Sequence, residues 1–87
     1  MNTSELRALL IREHFRSNTY SLEPREVDEA LCLREEDGQW CIYYAERGLQ
    51  SGKRLFASES EACSCFLSMM RSDPTAKQGW SSGFSLK

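Results

Sequence analysis

The chain has 87 residues and a formal net charge of −2, with 40% apolar and 28% charged residues. This composition excludes an intrinsically disordered chain, which needs low hydrophobicity together with a high net charge. It also argues against direct binding of nucleic acid, because such binding requires a clustered basic surface and the basic residues here are scattered among acids. A chain of this length forms one domain with one modest core.

The N-terminal segment is predicted to be a helix, because Asn2 and Glu5 have the spacing of a capping box. Its apolar residues fall on one side of a helix that ends near residues 17–18: Leu6, Leu9, Leu10 and Phe15. The segment lacks the uninterrupted apolar region of a signal peptide, and no apolar run reaches the length that spans a bilayer. We therefore expect a cytoplasmic protein with no membrane partner. Residues 19–27 are predicted to be a connector, because Pro24 biases Glu23 away from helical geometry.

The hydrophobic period changes to two near Glu29, which predicts a meander of three antiparallel strands over residues 30–35, 39–46 and 53–57. Asp37-Gly38 is a strong signal for a type I′ hairpin turn between the first two strands. That turn fixes the register and places two sets of side chains on opposite faces. The face expected to meet the helices carries Leu31, Leu33, Trp40, Ile42 and Tyr44, and the other face carries Cys32, Arg34, Cys41 and Tyr43. Residues 47–52 are predicted to form the next turn, and Phe56 is the expected inward residue of the third strand.

Ser58 and Glu61 match the capping box of a second helix, which is expected to end before Asp73-Pro74. Its broad apolar stripe consists of Ala62, Cys63, Phe66, Leu67 and Met70. Residues 75–87 have no periodicity and are predicted to be a loosely ordered tail, in which Trp80 and Phe84 are large enough to dock. The sequence thus predicts an α+β fold with the order α-β-β-β-α, in which a helix, a three-stranded antiparallel meander and a second helix form one two-layer domain over residues 1–74.

Four cysteines raise the question of disulfides or zinc. Cys63 and Cys65 are two residues apart in the predicted helix, which turns them about 200° away from each other, so they cannot converge on one ion. All four are expected to be buried reduced thiols: Cys32, Cys41, Cys63 and Cys65. The only histidine, His14, is expected to be a solvated helix residue. Because no phosphate-binding glycine loop, nucleophile elbow or set of metal ligands occurs, the sequence predicts neither an enzyme nor a cofactor or metal site.

Charged residues near the turns are the candidate contacts with a partner. They are Glu35, Glu36 and Asp37 at the first hairpin turn, Asp28 and Glu29 in a connector that also holds Glu23 and Glu26, and Glu46 and Arg47 beside a turn glycine. The Glu46-Arg47 pair is either an exposed ion pair or a contact, and the sequence leaves both open. Trp40, Tyr43 and Tyr44 lack the basic groove that single-strand binders place beside such aromatics, so they are assigned to the core and the sheet surface.

Three segments resemble small bacterial immunity proteins of polymorphic toxin systems: Tyr20-Ser21-Leu22, Trp40-x-Ile-Tyr-Tyr-x-Glu46-Arg47-Gly48 and Phe56-x-x-Glu59-x-Glu61-Ala62-Cys63. The likeness covers about residues 20–70 and lies mostly in structural positions. It implies a cytosolic protein, encoded beside a secreted or contact-delivered toxin, that neutralises the toxin domain by binding it tightly. Because such families diverge at their contact surfaces, the resemblance carries over no toxin-binding residue.

An acidic surface suits this role, because many toxin domains are nucleases with cationic clefts toward which acidic residues would be steered. The expected partner is the cognate toxin domain, and the expected state is a monomer or a weak homodimer. The alternative function is a small regulatory or structural protein-interaction module that self-associates or binds a non-toxin partner through an exposed sheet edge. A minor enzyme alternative would need a pocket around His14.

Overall fold

A computed structural model describes residues 1–23 and 27–77 of the chain. Two helices and four strands follow the order α1 (Thr3–Arg12), β1 (Tyr20–Ser21), β2 (Ala30–Glu36), β3 (Gln39–Glu46), β4 (Leu49–Phe56) and α2 (Glu59–Arg71), with short 3-10 turns at Ser17–Thr19 and Pro74–Ala76. The strands form one mixed sheet in the order β1-β2-β3-β4. The α+β class is confirmed. The predicted three-stranded antiparallel meander matches only in part, because β2, β3 and β4 pair in antiparallel fashion within a four-stranded mixed sheet. The predictions for Pro24, Glu26, Trp80 and Phe84 lie outside the described residues.

The predicted fold lacked one strand. Tyr20 and Ser21 form β1, which pairs in parallel with β2 opposite Leu31 and Cys32. The sequence predicts a connector here because a two-residue strand is too short to show a period. Tertiary packing holds it in place, since both Tyr20 and Ser21 are buried.

The first hairpin has the predicted register, with Leu33 opposite Ile42 and Leu31 opposite Tyr44. Its turn residues have the positive φ angles that a type I′ turn requires, +52° at Asp37 and +81° at Gly38. Antiparallel pairing joined by this tight turn therefore fixes which side chains share a face.

The predicted turn over residues 47–52 is wrong, because the turn contains only Arg47 and Gly48 and β4 begins at Leu49. The second glycine of that stretch, Gly52, has a φ of +65° and lies where the β3–β4 register shifts by one residue. It marks a bulge within the strand rather than a turn. Because of the extra residue, Leu49 lies on the face of Glu46 while Leu55 lies on the opposite face, beside Cys41.

The capping box of α1 is complete. The Glu5 N–H donates to Asn2 Oδ1 at 2.9 Å, and the Asn2 N–H donates to Glu5 Oε1 at 3.0 Å. The helix ends at Arg12 rather than near residue 17, since His14 takes a φ of +66° that no α-helix continues through. Phe15 nevertheless stays buried, although it lies beyond the helix.

Helix α2 has the predicted bounds, and the Glu61 N–H donates to Ser58 Oγ at 3.2 Å. The predicted capping box is only half formed, because the described residues show no return hydrogen bond from the Ser58 N–H to the Glu61 carboxylate. The two helices run parallel to each other. At their beginnings the Thr3 N–H donates to Glu59 Oε2 at 2.8 Å, and at their ends Arg71 Nε donates to Glu13 Oε1 at 3.0 Å. Both helices therefore point from one end of the sheet to the other.

We call these the first-turn end, at Asp37 and Gly38, and the second-turn end, at Arg47 and Gly48. Because Phe56 pairs with Trp40, β4 leads into α2 at the first-turn end. Both helices consequently begin there and end near the second turn.

The core lies between the helices and one face of the sheet. It includes Leu6, Leu10, Phe15, Leu33, Ile42, Ala62, Cys63, Phe66, Leu67 and Met70, with Trp40 and Phe56 packed at its margin. One predicted core residue, Tyr44, is instead 39% exposed. The reason is its place at the second-turn end, where α2 stops and Tyr44 lines a cavity together with Met69 and Met70.

The opposite face of the sheet is also buried. Its cluster consists of Cys32, Cys41, Tyr43 and Ala45, each at most 1% exposed. Arg34 Nη1 donates to the Tyr43 hydroxyl at 3.1 Å, and Lys53 Nζ lies 5.9 Å from the centre of the Tyr43 ring. All four cysteines are free thiols, although Cys65 is half-buried rather than buried.

Residues 75–77 lie against the end of α1. Ala76 is buried, its carbonyl accepts the Arg16 N–H at 2.7 Å, and Lys77 forms a β-bridge with Phe15. The loosely ordered tail, whose remaining residues fall outside the described ranges, stays a prediction.

Candidate functional site

The seven predicted contact residues form two groups at opposite ends of the sheet. Glu35, Glu36 and Asp37 lie at the first-turn end, whereas Asp28, Glu29, Glu46 and Arg47 lie at the second-turn end. Strand β2 joins the two groups through seven residues, so they are about 20 Å apart at roughly 3.4 Å per residue. The structure thus contains two separate candidate surfaces.

At the first-turn end one of the three acids, Glu36, is paired with a cation. Lys53 Nζ donates to Glu36 Oε1 at 3.0 Å. This hydrogen bond, together with the positive charge of Lys53, holds the pKa of Glu36 below its ordinary value. The positive charge of Arg34 also lowers the pKa of Glu36, whereas Glu35 and Asp37 form no ion pair with residues 1–23 or 27–77.

At the second-turn end the acidic charge converges on Tyr44. Burial raises the pKa of the Tyr44 phenol, and nearby carboxylates raise this pKa further. The contributing carboxylates are those of Glu46, Glu29, Asp28 and Asp73. We call these four residues around Tyr44 the acidic surface.

The sequence does not predict one member of this surface, Asp73, or the tyrosine that the four carboxylates surround. Asp73 was interpreted only as part of a helix stop, and Tyr44 was assigned to the core. The available signal was the position of Asp73 directly after α2, because the end of that helix and the end of β3 meet at the same end of the sheet.

A groove of about 380 Å³ runs along the acidic surface. Its lining includes Arg16, Asn18, Asp28, Glu29, Tyr44 and Asp73. Within the described ranges, none of the four carboxylates takes part in an ion pair. Asp28 accepts the Arg47 N–H at 2.6 Å, and Asp73 accepts the N–H and the hydroxyl of Thr75. The donors of these hydrogen bonds are neutral, and Arg16 adds one positive charge to the lining of the same groove.

The parallel helices add to this potential. Each helix carries a partial negative charge at its C-terminus and a partial positive charge at its N-terminus. Both C-termini lie at the second-turn end, so their dipoles reinforce the acidic surface, and both N-termini lie at the first-turn end. Side chains offset part of this potential, because acids lie in the first turn of each helix and a base lies in the last turn: Glu5 and Arg12 in α1, and Glu59, Glu61 and Arg71 in α2.

The hairpin that presents this end is tight and exposed. Arg47 and Gly48 have φ angles of +54° and +81°, the pattern of a type I′ turn. Glu29 also has a positive φ of +58°, and its N–H donates to the Ala45 carbonyl at 2.7 Å. Leu49, directly after the turn, is 71% exposed.

Metal and membrane chemistry receive no support from the described part of the chain. Over residues 1–23 and 27–77, no three histidine, cysteine or acidic side chains are placed to hold a metal ion. Neither α1 nor α2 is long and apolar enough to cross a bilayer. The one half-buried thiol, Cys65, lies 3.7 Å from Arg54 Nη1.

The chemistry available at the second-turn end is that of a contact surface: carboxylates, a half-exposed phenol and an exposed leucine on a hairpin anchored at both strands. Such groups can bind a cationic partner but do not form a nucleophile–base pair. Comparisons with family models, with curated proteins and with solved structures found no match for this chain.

Proposed function

We propose that this chain is an immunity protein that binds and neutralises a cognate bacterial toxin domain in the cytoplasm by tight protein–protein association. The observation that carries the proposal is the acidic surface, four carboxylates without ion-pair partners among the described residues that surround the half-exposed Tyr44. The resemblance of the Trp40–Gly48 segment to polymorphic-toxin immunity proteins supports the same function. A nuclease is the class of toxin that fits best.

The physical basis is electrostatic complementarity. A nuclease must present a cationic cleft to the phosphates of its substrate, and an acidic protein surface is attracted to the same cleft. Complementary charge raises the association rate and fixes the orientation of the two proteins. Tyr44 supplies contact area with few rotatable bonds, which is the property that enriches tyrosine at binding hot spots. Inhibition of this kind requires no catalytic residue, so we infer that the protein is not an enzyme.

The test is binding to the toxin domain encoded by the adjacent gene, purified with its catalytic residue inactivated. Glu46→Lys reverses one charge of the acidic surface, and Glu35→Lys is the control. Both residues are exposed strand positions near a type I′ turn, with Glu46 directly before its turn and Glu35 one residue further from its turn. We expect Glu46→Lys to slow association about tenfold at low salt and to weaken its salt dependence. Glu35→Lys should change the rate by less than about twofold.

The same variants should differ in growth rescue when the active toxin is expressed. A wild-type chain that neither binds the neighbouring product nor rescues growth would contradict the immunity function. Equal effects of the two charge reversals would contradict the assignment of binding to the second-turn end.

One observation favours the second candidate function, a self-associating module. Strand β4 is an unpaired sheet edge whose residues from Leu49 to Leu55 are all exposed. However, Lys53 and Arg54 lie in the middle of this edge beside the Gly52 bulge, and charges and bulges are the features that prevent edge pairing. A two-fold antiparallel pairing of β4 strands would bring the lysines and arginines of both copies together. A stable homodimer in analytical ultracentrifugation, with no heterologous partner, would favour the module.

A further inference from the structure

The second turn has a backbone conformation that arginine does not favour. A type I′ turn needs a positive φ at its first central residue, where Asn, Asp and Gly are preferred because other side chains are strained there. The first turn of this chain follows that preference with Asp37, at a φ of +52°. Arg47 occupies the equivalent position of the second turn at +54°.

The surrounding structure holds Arg47 in this conformation. Asp28 Oδ1 accepts the Arg47 N–H at 2.6 Å, and the next residue along from Asp28, Glu29, is itself at a positive φ and hydrogen-bonded to β3. Two neighbouring non-glycine residues in left-handed geometry are uncommon. Strain of this kind persists only where other contacts enforce it, and it concentrates at functional sites.

The Arg47 side chain has no stabilising contact that would explain its presence. The residue is exposed, and its guanidinium forms no hydrogen bond, ion pair or ring contact with residues 1–23 or 27–77. A planar guanidinium with five donors is well suited to bind a carboxylate of another molecule in a bidentate geometry.

Leu49 follows Arg47 by two residues, and its side chain is also exposed to solvent. It is the most exposed large apolar side chain in the described part of the chain, at 71%, and it lies on the same sheet face as Tyr44. Glu46, Arg47, Leu49 and Ser51 line one shallow groove at the turn. The second turn thus combines an exposed leucine, Leu49, with a guanidinium, that of Arg47, which has no partner among the described residues. Acidic residues lie near both.

We propose that Arg47 and Leu49 are the anchor that the second turn inserts into a partner protein. The partner would offer an apolar pocket for Leu49 and a carboxylate for Arg47, set within a basic surface that faces the carboxylates of Glu46, Glu29 and Asp28. Charge complementarity selects this partner, because a uniformly basic surface would repel Arg47 and a uniformly acidic surface would repel its neighbours. The inference rests on the proposed function, since it assigns the part of this chain that contacts the toxin domain.

The first test separates strain from binding with a single substitution. Arg47→Asn places a residue that favours left-handed geometry in the turn, so Tm should rise by about 4 °C. The same change removes the guanidinium, so the Kd for the inactivated toxin domain of the adjacent gene should rise about tenfold. Asp37→Asn is the matched control, because it makes a similar substitution at the same turn position at the other end, and it should alter both quantities little.

The second test compares two leucines on one strand. Leu49→Ser should raise the Kd about tenfold, because it removes the apolar anchor. Leu55→Ser removes a leucine that is 59% exposed on the opposite sheet face and should change the Kd by less than about twofold.

The outcomes distinguish the anchor formed by Arg47 and Leu49 from the immunity function. A wild-type complex that forms with unchanged affinity in Arg47→Asn and Leu49→Ser would overturn the anchor while leaving the immunity function standing. A lower Tm in Arg47→Asn would overturn the strain on which the anchor is based. Failure of the wild-type protein to bind the toxin domain at all would overturn both the function and the anchor.

Discussion

The two hairpin turns of this protein have nearly the same backbone and opposite chemistry. Both are two-residue turns with φ angles close to +53° and +81°, each ending in glycine. At the first turn Asp37 is a residue type that favours the positive φ it adopts, and the nearby Glu36 is paired with Lys53. At the second turn Arg47 conflicts with the backbone, and the four neighbouring carboxylates have no ion-pair partner among the described residues. The first turn is built for stability, and the second retains features that lower stability.

We infer from this difference that the second turn was selected for a property other than stability. A sequence specifies its fold best when local preference, charge and packing agree, and the places where they disagree are expected to be functional. The comparison therefore favours the second-turn end as the contact surface.

The equivalence of the two backbones can be tested with glycine substitutions. Gly38→Ala and Gly48→Ala each place a Cβ in open space, with no atom within 4 Å, so their cost is backbone strain alone. We expect each to lower the free energy of unfolding by about 1–2 kcal/mol, measured by urea denaturation. The two losses should agree within about 0.5 kcal/mol. A clearly unequal pair would show that the turns differ in backbone and that the comparison does not isolate side-chain chemistry.

The hydrogen bond from the Arg47 N–H to Asp28, which supports the second turn, can be removed separately. Asp28→Ala removes the acceptor of the Arg47 N–H and should lower the free energy of unfolding by about 1 kcal/mol. Asp28→Asn keeps an oxygen acceptor at the same position, so stability should stay within about 0.5 kcal/mol of wild type while one charge of the acidic surface is lost. If Asn were as destabilising as Ala, the charge of Asp28 rather than its hydrogen bond would support the turn.

The parts of the fold that the sequence predicted are those with a strong local signal. Asp37-Gly38 fixes its hairpin because few other dipeptides adopt that turn, and Asn2 and Ser58 cap their helices through short-range hydrogen bonds. Strand β1 was missed because two residues show no period and their position depends on tertiary packing. The second turn was misplaced because Gly52, which forms a bulge, reads like a turn residue.

The candidate site was predicted only in part, because its position also depends on long-range contacts. Charged residues next to turns are visible in the sequence: six of the seven candidates are acids, and the seventh, Arg47, follows Glu46 directly. Their division between two ends of the sheet depends on strand direction, and the addition of Asp73 depends on where α2 ends relative to β3. Those relations are long-range, and a single sequence carries no direct signal for them.

The smallest effect is expected in the titration of Tyr44, which measures the electrostatic field of the second-turn end without any partner. After burial, the carboxylate of Glu46 is the foremost cause of the raised pKa of Tyr44, because a negative neighbour disfavours the phenolate. Glu46→Gln should therefore lower the pKa of Tyr44 when the phenol is followed by NMR or ultraviolet difference absorbance and assigned with Tyr44→Phe. High salt should produce a similar decrease in the wild type.

Glu35→Gln, at the other end of the sheet, should leave the Tyr44 titration unchanged. An equal response to the two glutamate substitutions would mean that the field at Tyr44 reflects net charge alone, and the polarity between the two ends would lose its experimental support.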